Sequence, residues 1–105
     1  MDTNEETVLP VETVQSVVST LAREYGVQKI YLFGSYARGE ATPDSDIDLR
    51  IDRGRIRGLE FAGLLGDLQD ALGKSVDLIS TIGMDPAFLD KIHKEEILLY
   101  DRDKM

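Results

Sequence analysis

Two periods of apolar residues run through this chain. Val11, Val14, Val18, Leu21 and Tyr25 recur every three or four positions, with Glu12, Gln15, Ser19 and Arg23 between them. That spacing predicts an amphipathic helix over 10–25, with Pro10 at its first position and Gly26 just past its end. The stretch 28–33, QKIYLF, is short, apolar and closed by Gly34, which predicts a strand. One helical turn over 35–39 and a polar loop through Thr42, Pro43 and Asp44 follow. The period then changes: Ile47, Leu49 and Ile51 alternate with Asp46, Asp48, Arg50 and Asp52, the mark of a strand with one core face and one charged face. Phe61, Leu64, Leu65, Leu68 and Leu72 restore helical spacing over 59–72, before Gly73. Val76 to Ile79 forms a third strand, and Asp85 before Pro86 opens a helix that runs to about Lys94. The apolar run 97–100 is too short for periodicity to separate an edge strand from a helix end. Strands alternating with helices give an α/β (α+β) domain with a small sheet of three or four strands and about four helices.

Composition narrows what such a domain does. A chain of 105 residues fits a single domain over 1–105, with 1–9, polar and acidic, as a loose arm. The formal net charge of −8 repels phosphate backbones, so direct nucleic-acid binding is not expected, although a cation-bridged phosphate ligand is compatible with it. Without cysteine, and with His93 as the one histidine, thiolate and His-rich metal sites are excluded. Any metal must be held by oxygen. No apolar run approaches the roughly 20 residues that span a bilayer, and no leader pattern is present; the expectation is a cytoplasmic protein without membrane contact.

The carboxylates on the second strand are the informative feature. Residues i and i+2 of a strand project from one face about 6.5–7 Å apart, so Asp46 and Asp48 aim together, away from the core. In the third strand Val76 and Leu78 match the core face, and Asp77 faces the same way as the pair. If the two strands are neighbours, about 4.8 Å apart, three carboxylates converge. Such a cluster suits Mg²⁺ or Mn²⁺, and two ions about 3.5–4 Å apart can clamp the attacking and leaving oxygens of a phosphoryl displacement. The remaining oxygens would come from a triphosphate. Gly34 lets backbone approach a phosphate, Ser35 adds a hydroxyl, and the turn after them directs N–H groups at an anion. A single Asp-x-Asp is ordinarily a solvated strand face and a single Gly-Ser an ordinary turn; their combination with Asp77 is what points to chemistry.

Other residues have plainer readings beside the functional one. Arg38, one turn beyond Ser35, reaches either a phosphate or a carboxylate of Asp44 or Asp46. Ser45 either joins the nucleotide site or turns the backbone before Asp46. Arg53, Arg55 and Arg57 read as a solvated loop, Asp67 and Asp70 as a solvated helix face, His93 as an outer helix residue, and Tyr36 as a packing or ribose-stacking residue.

The stretch GSYARGEATPDSDIDL, Gly34 to Leu49, resembles the signature of the DNA polymerase β-like nucleotidyltransferases, and its Ala-Arg-Gly and Ser-Asp-Ile-Asp-Leu details resemble the minimal nucleotidyltransferase (MNT) branch. With the first helix and the KSVDLIS segment, the likeness spans nearly the whole chain. It implies a mixed sheet with helices on one face, metal binding by Asp46 and Asp48, and a shared metal and activation of the acceptor hydroxyl at Asp77. It also implies a triphosphate held by Gly34 and Ser35, with Arg38 and Ser45 as further nucleotide contacts, ATP as substrate and Mg²⁺ as cofactor. MNT proteins of this size resemble the antitoxin half of HEPN/MNT pairs, which implies AMP transfer from ATP to a tyrosine of a HEPN-type toxin partner. Two alternatives stand beside it: a non-catalytic antitoxin acting by occlusion, and transfer to a small molecule, for which so short a chain has little room.

Overall fold

A computed structural model describes residues 7–104. In chain order the elements are α1 (Val11–Tyr25), β1 (Lys29–Phe33), α2 (Gly34–Arg38), β2 (Ile47–Asp52), α3 (Gly58–Leu72), β3 (Val76–Ser80), α4 (Pro86–His93) and β4 (Ile97–Asp101), followed by a 3-10 turn at Arg102–Lys104. The pattern locates each to within a residue or so. Pro10 differs slightly. It stands before the helix in extended geometry (φ −62, ψ 147), where its carbonyl accepts hydrogen bonds from the N–H groups of Thr13 and Val14. Most of the expected N-terminal arm, residues 1–6, lies outside the described residues. At its far end Leu9 packs against the core, and its N–H donates to the Tyr36 hydroxyl at 3.5 Å.

The sheet is mixed, in the order β3-β2-β1-β4. β1 pairs antiparallel with both β2 and β4, while β2 and β3 run parallel. Parallel neighbours need a long crossover, and α3 supplies it. The segment that periodicity left open is settled by pairing: 97–101 is an edge strand against β1, with a register shift between Ile30 and Tyr31.

Val14, Val18 and Ala22 of α1 and Leu64, Leu68 and Leu72 of α3 pack on Ile30, Leu32, Ile47, Leu49, Ile51 and Leu78 of the sheet. The resemblance implies helices on one face, but the opposite face carries a helix as well. Phe88 of α4 meets Phe33 edge-on, with ring centroids 5.9 Å apart, and Ile92 is buried. Helix α4 therefore lies on the side opposite α1 and α3.

On that second face Arg50 departs from the expected charged surface: it is 3% exposed. Its guanidinium stacks 4.0 Å from the Tyr31 ring centroid. Arg50 Nε and Nη2 donate to the two oxygens of Glu96 at 3.0 and 2.6 Å, and Nη1 donates to Thr81 Oγ1 at 2.9 Å. His93 Nδ1 lies 2.8 Å from Glu96 Oε1. A fork-on-fork pair of this kind fixes direction as well as distance, and here it ties the joint between α4 and β4 to the middle of the sheet. Among the described residues no helix is long and apolar enough to cross a membrane.

Arg50→Ala would leave Glu96 buried without its cation. The expected loss is about 3–5 kcal/mol of stability, read as a lower urea midpoint, and an unchanged midpoint would show that the pair holds nothing in place.

Candidate active site

The site forms where β1 runs out. Phe33, its last residue, pairs across the ladder with Asp48 of β2. Gly34 then turns the chain with φ +75, a conformation that side chains disfavour. A second constraint acts at the same residue: a Cβ there would overlap the Asp48 carboxylate. Glycine thus lets the Gly34-Ser35 turn press directly against an acid.

Asp48 is also the register partner of Asp77 on β3, so the two stand side by side on adjacent parallel strands. Val76 and Leu78 are buried while Asp77 is exposed, as the alternation requires. Asp46 directly precedes β2 and is exposed. The crowding registers on Asp48, whose carboxyl is pushed up from 3.8 to about 6. Burial is the largest cause, followed by the charges of Asp77 and Asp46; Arg38 opposes the shift and Glu95 adds to it. Among the described residues no three acids are gathered into a closed metal cage. Asp48 and Asp77 stand side by side with Asp46 just before the strand, and carboxylates of this kind are the oxygen donors that a hard divalent cation takes.

Beside Asp48 a cleft of about 320 Å³ opens between α2 and α4, with Gly34, Ser35 and Arg38 on one wall and Phe88, Lys91 and Glu95 on the other. A wider groove of about 620 Å³ flanks Asp46 on the other side and is lined by Asp44, Ser45, Asp70 and Lys74, among others.

Several side chains take partners that the sequence did not indicate. Arg38 pairs with neither Asp44 nor Asp46. Its Nε donates to Glu40 at 3.0 Å, and its Nη1 lies 3.2 Å from both oxygens of Glu95. Glu95 Oε2 also accepts the Gly34 N–H at 2.8 Å. Ser45 serves the turn: its Oγ accepts the Thr42 N–H at 2.9 Å, and its own N–H donates to the Thr42 carbonyl at 2.9 Å. Lys74, itself buried, donates to the Pro43 carbonyl at 3.1 Å and holds the same loop from α3's far end. Tyr36 is 3% exposed and belongs to the core. Asp67 accepts a hydrogen bond from the Tyr25 hydroxyl at 2.6 Å, and Arg57 Nη1 turns back onto the carbonyls of Gly54 and Ile56.

The profile of the family described as "Polymerase beta, Nucleotidyltransferase" matches residues 15–105. The chain belongs to this family. Among relatives of this nucleotidyltransferase, the protein adenylyltransferase MntA of Thermococcus cleftensis is 39% identical over 77 residues, covering 69% of this chain and 78% of its own. Among solved structures, a chain of a toxin–antitoxin complex with AMP-PNP superposes with a TM-score of 0.73 at 25% identity, over 86% of this chain and 75% of that one. A chain from the complex of tri-AMPylated Shewanella oneidensis HEPN toxin with MNT antitoxin shares the fold, with a TM-score of 0.67 at 22% identity, over 89% of this chain and 74% of that one.

Of the residues that the sequence assigned to the nucleotidyltransferase site, Gly34, Ser35, Arg38 and Asp48 line one cleft, with Asp46 and Asp77 beside Asp48. Ser45 lies across Asp46 in the wider groove. Glu95, Lys91 and Phe88 went unread, because each is more than 50 residues from Gly34 and looks like an ordinary helix-end residue in the sequence.

Two outcomes test this geometry. Asp48 binds its proton more tightly in the folded chain than in the unfolded one, so its contribution to stability is greatest below about pH 4 and is lost as pH rises through about 6. Asp48→Asn, which mimics the neutral acid, should therefore gain stability relative to the wild type as pH is raised across that range, in urea titrations; a pH-independent difference would contradict the crowding. Gly34→Ala should lose at least about 1–3 kcal/mol through strain at positive φ alone, plus the cost of displacing Asp48, measured the same way.

Proposed function

We propose that this nucleotidyltransferase transfers AMP from ATP to a tyrosine hydroxyl of a partner HEPN-type toxin, and so acts as its antitoxin. One observation carries the reading: Asp48 stands at once against the Gly34-Ser35 turn and beside Asp77. Paired acids and a glycine-serine turn thereby share one end of the sheet. The names of the relatives support the acceptor class, since the Thermococcus protein is called a protein adenylyltransferase and the complex with AMP-PNP is a toxin–antitoxin pair. The open groove beside Asp46 offers an approach for an acceptor that arrives on another protein, and α4 closes off the opposite side.

In this reading the Gly34 N–H, the Ser35 hydroxyl and the Arg38 guanidinium bind the triphosphate and orient its α-phosphorus toward the acids. Asp46, Asp48 and Asp77 would hold divalent cations, Mg²⁺ or Mn²⁺, which when bound supply positive charge against the charge that develops on the transferred group. Asp77, exposed on β3 beside Asp48, accepts the proton of the acceptor hydroxyl. The new bond joins that oxygen to the α-phosphorus, the bond from the α-phosphorus to the bridging oxygen breaks, and pyrophosphate leaves. Ser45 shapes the loop that delivers Asp46.

Asp46→Asn and Asp48→Asn should each slow AMP transfer on the order of a thousandfold, followed as label passing from radiolabelled ATP to the co-purified partner. Undiminished labelling by either variant would refute the assignment. A partner that stays inhibited by the unlabelling variants would instead mark neutralisation by occlusion.

A further inference from the structure

The donors expected to take phosphate already hold an anion, and the chain supplies it. The Glu95 carboxylate accepts the Gly34 N–H at 2.8 Å, and both its oxygens lie 3.2 Å from Arg38 Nη1. A carboxylate on one backbone N–H and one guanidinium reproduces, in charge and hydrogen bonding, two oxygens of a phosphate. The Glu95 side chain is 23% exposed and lines the cleft. Ligand can therefore reach it.

We infer that Glu95 is an internal competitor of the nucleotide: in the ligand-free chain it occupies the Gly34 and Arg38 donors, and an incoming triphosphate displaces it. The inference rests on the nucleotide-binding reading above. Three features favour displacement over coexistence. Glu95 and Asp48 line the same cleft, so a triphosphate placed there would meet both carboxylates at short range. Departure of Glu95 does not require α4 to move, because the neighbouring Glu96 holds the joint through Arg50. Lys91 lines the same cleft and forms no ion pair among the described residues, so it offers a cation both to the phosphates and to the released carboxylate.

A competitor of this kind lowers the apparent affinity by the fraction of molecules in which the donors are free. AMP-PNP titrated calorimetrically into wild type, Glu95→Gln and Glu95→Ala, with and without MgCl₂, reads that fraction. The dissociation constant should fall about fivefold for Glu95→Gln and about tenfold for Glu95→Ala, since the amide keeps an acceptor for Gly34 but loses the charge. Equal or weaker binding would overturn the inference and make Glu95 a fixed brace for Arg38. The wild-type chain gives a readout free of folding effects: the Glu95 carboxyl ¹³C resonance should move on saturation with AMP-PNP, and an unmoved resonance overturns the inference too. Absence of binding by all three proteins would overturn the nucleotide reading together with this inference. Wild-type binding without tightening in the variants would overturn this inference alone.

Discussion

The two-residue alternation of β2 is the constraint on which the other features depend. Ile47, Leu49 and Ile51 are fully buried on the side of α1 and α3, and both flanks of the strand are paired. Burying each such side chain stabilises the fold by about 1.5–3 kcal/mol. A slip of one residue would exchange this apolar set for Asp48 and Arg50, so the register has no near alternative. That register, set by packing on one face, places Asp48 opposite the end of β1 and next to Asp77 on the other. The acids crowd one another because the core on the far side dictates where they stand. Burial, together with their mutual repulsion, is what raises the pKa of the Asp48 carboxyl.

What was readable from the sequence is what depends on near neighbours. Helices α1 and α3 follow from leucine and valine spacing, and the strand parity of Asp46, Asp48 and Asp77 follows from two short alternating runs. Gly34 and Ser35 follow from their position at the end of an apolar segment. What was not readable depends on the far side of the molecule. Arg50 looks like one more charge on a solvated face until Tyr31 and Glu96, the latter 46 residues away, close over it. Glu95 and Glu96 read as a polar helix end, and nothing local distinguishes them. Arg38 was given plausible partners within its own loop, yet the carboxylate that reaches it comes from the last third of the chain. The strand at 97–101 was undecidable over so few residues, and its pairing with β1 is a long-range fact.

The placement of α4 gives this small domain two sides with different uses. Between α4 and α2 lies a narrow cleft with backbone N–H, hydroxyl and guanidinium groups; beyond Asp46 lies a broader, shallower groove held open by the Thr42–Ser45 turn and Lys74. Under the proposed function the cleft would take the nucleotide and the groove the acceptor protein, with Asp48 lining the first and Asp46 the second.

The joint between α4 and β4 is unusually exacting for its length. Glu95 and Glu96 both hang from N–H groups bonded to the Ile92 carbonyl, yet one carboxylate reaches forward to Gly34 and the other inward to Arg50. Two adjacent side chains with the same chemistry are addressed to different destinations purely by the angle at which each leaves the backbone. Inserting or deleting a single residue between Ile92 and Ile97 would therefore misdirect both at once, stranding a buried guanidinium while emptying the cleft. Such a connector is constrained in length as well as at its two glutamates.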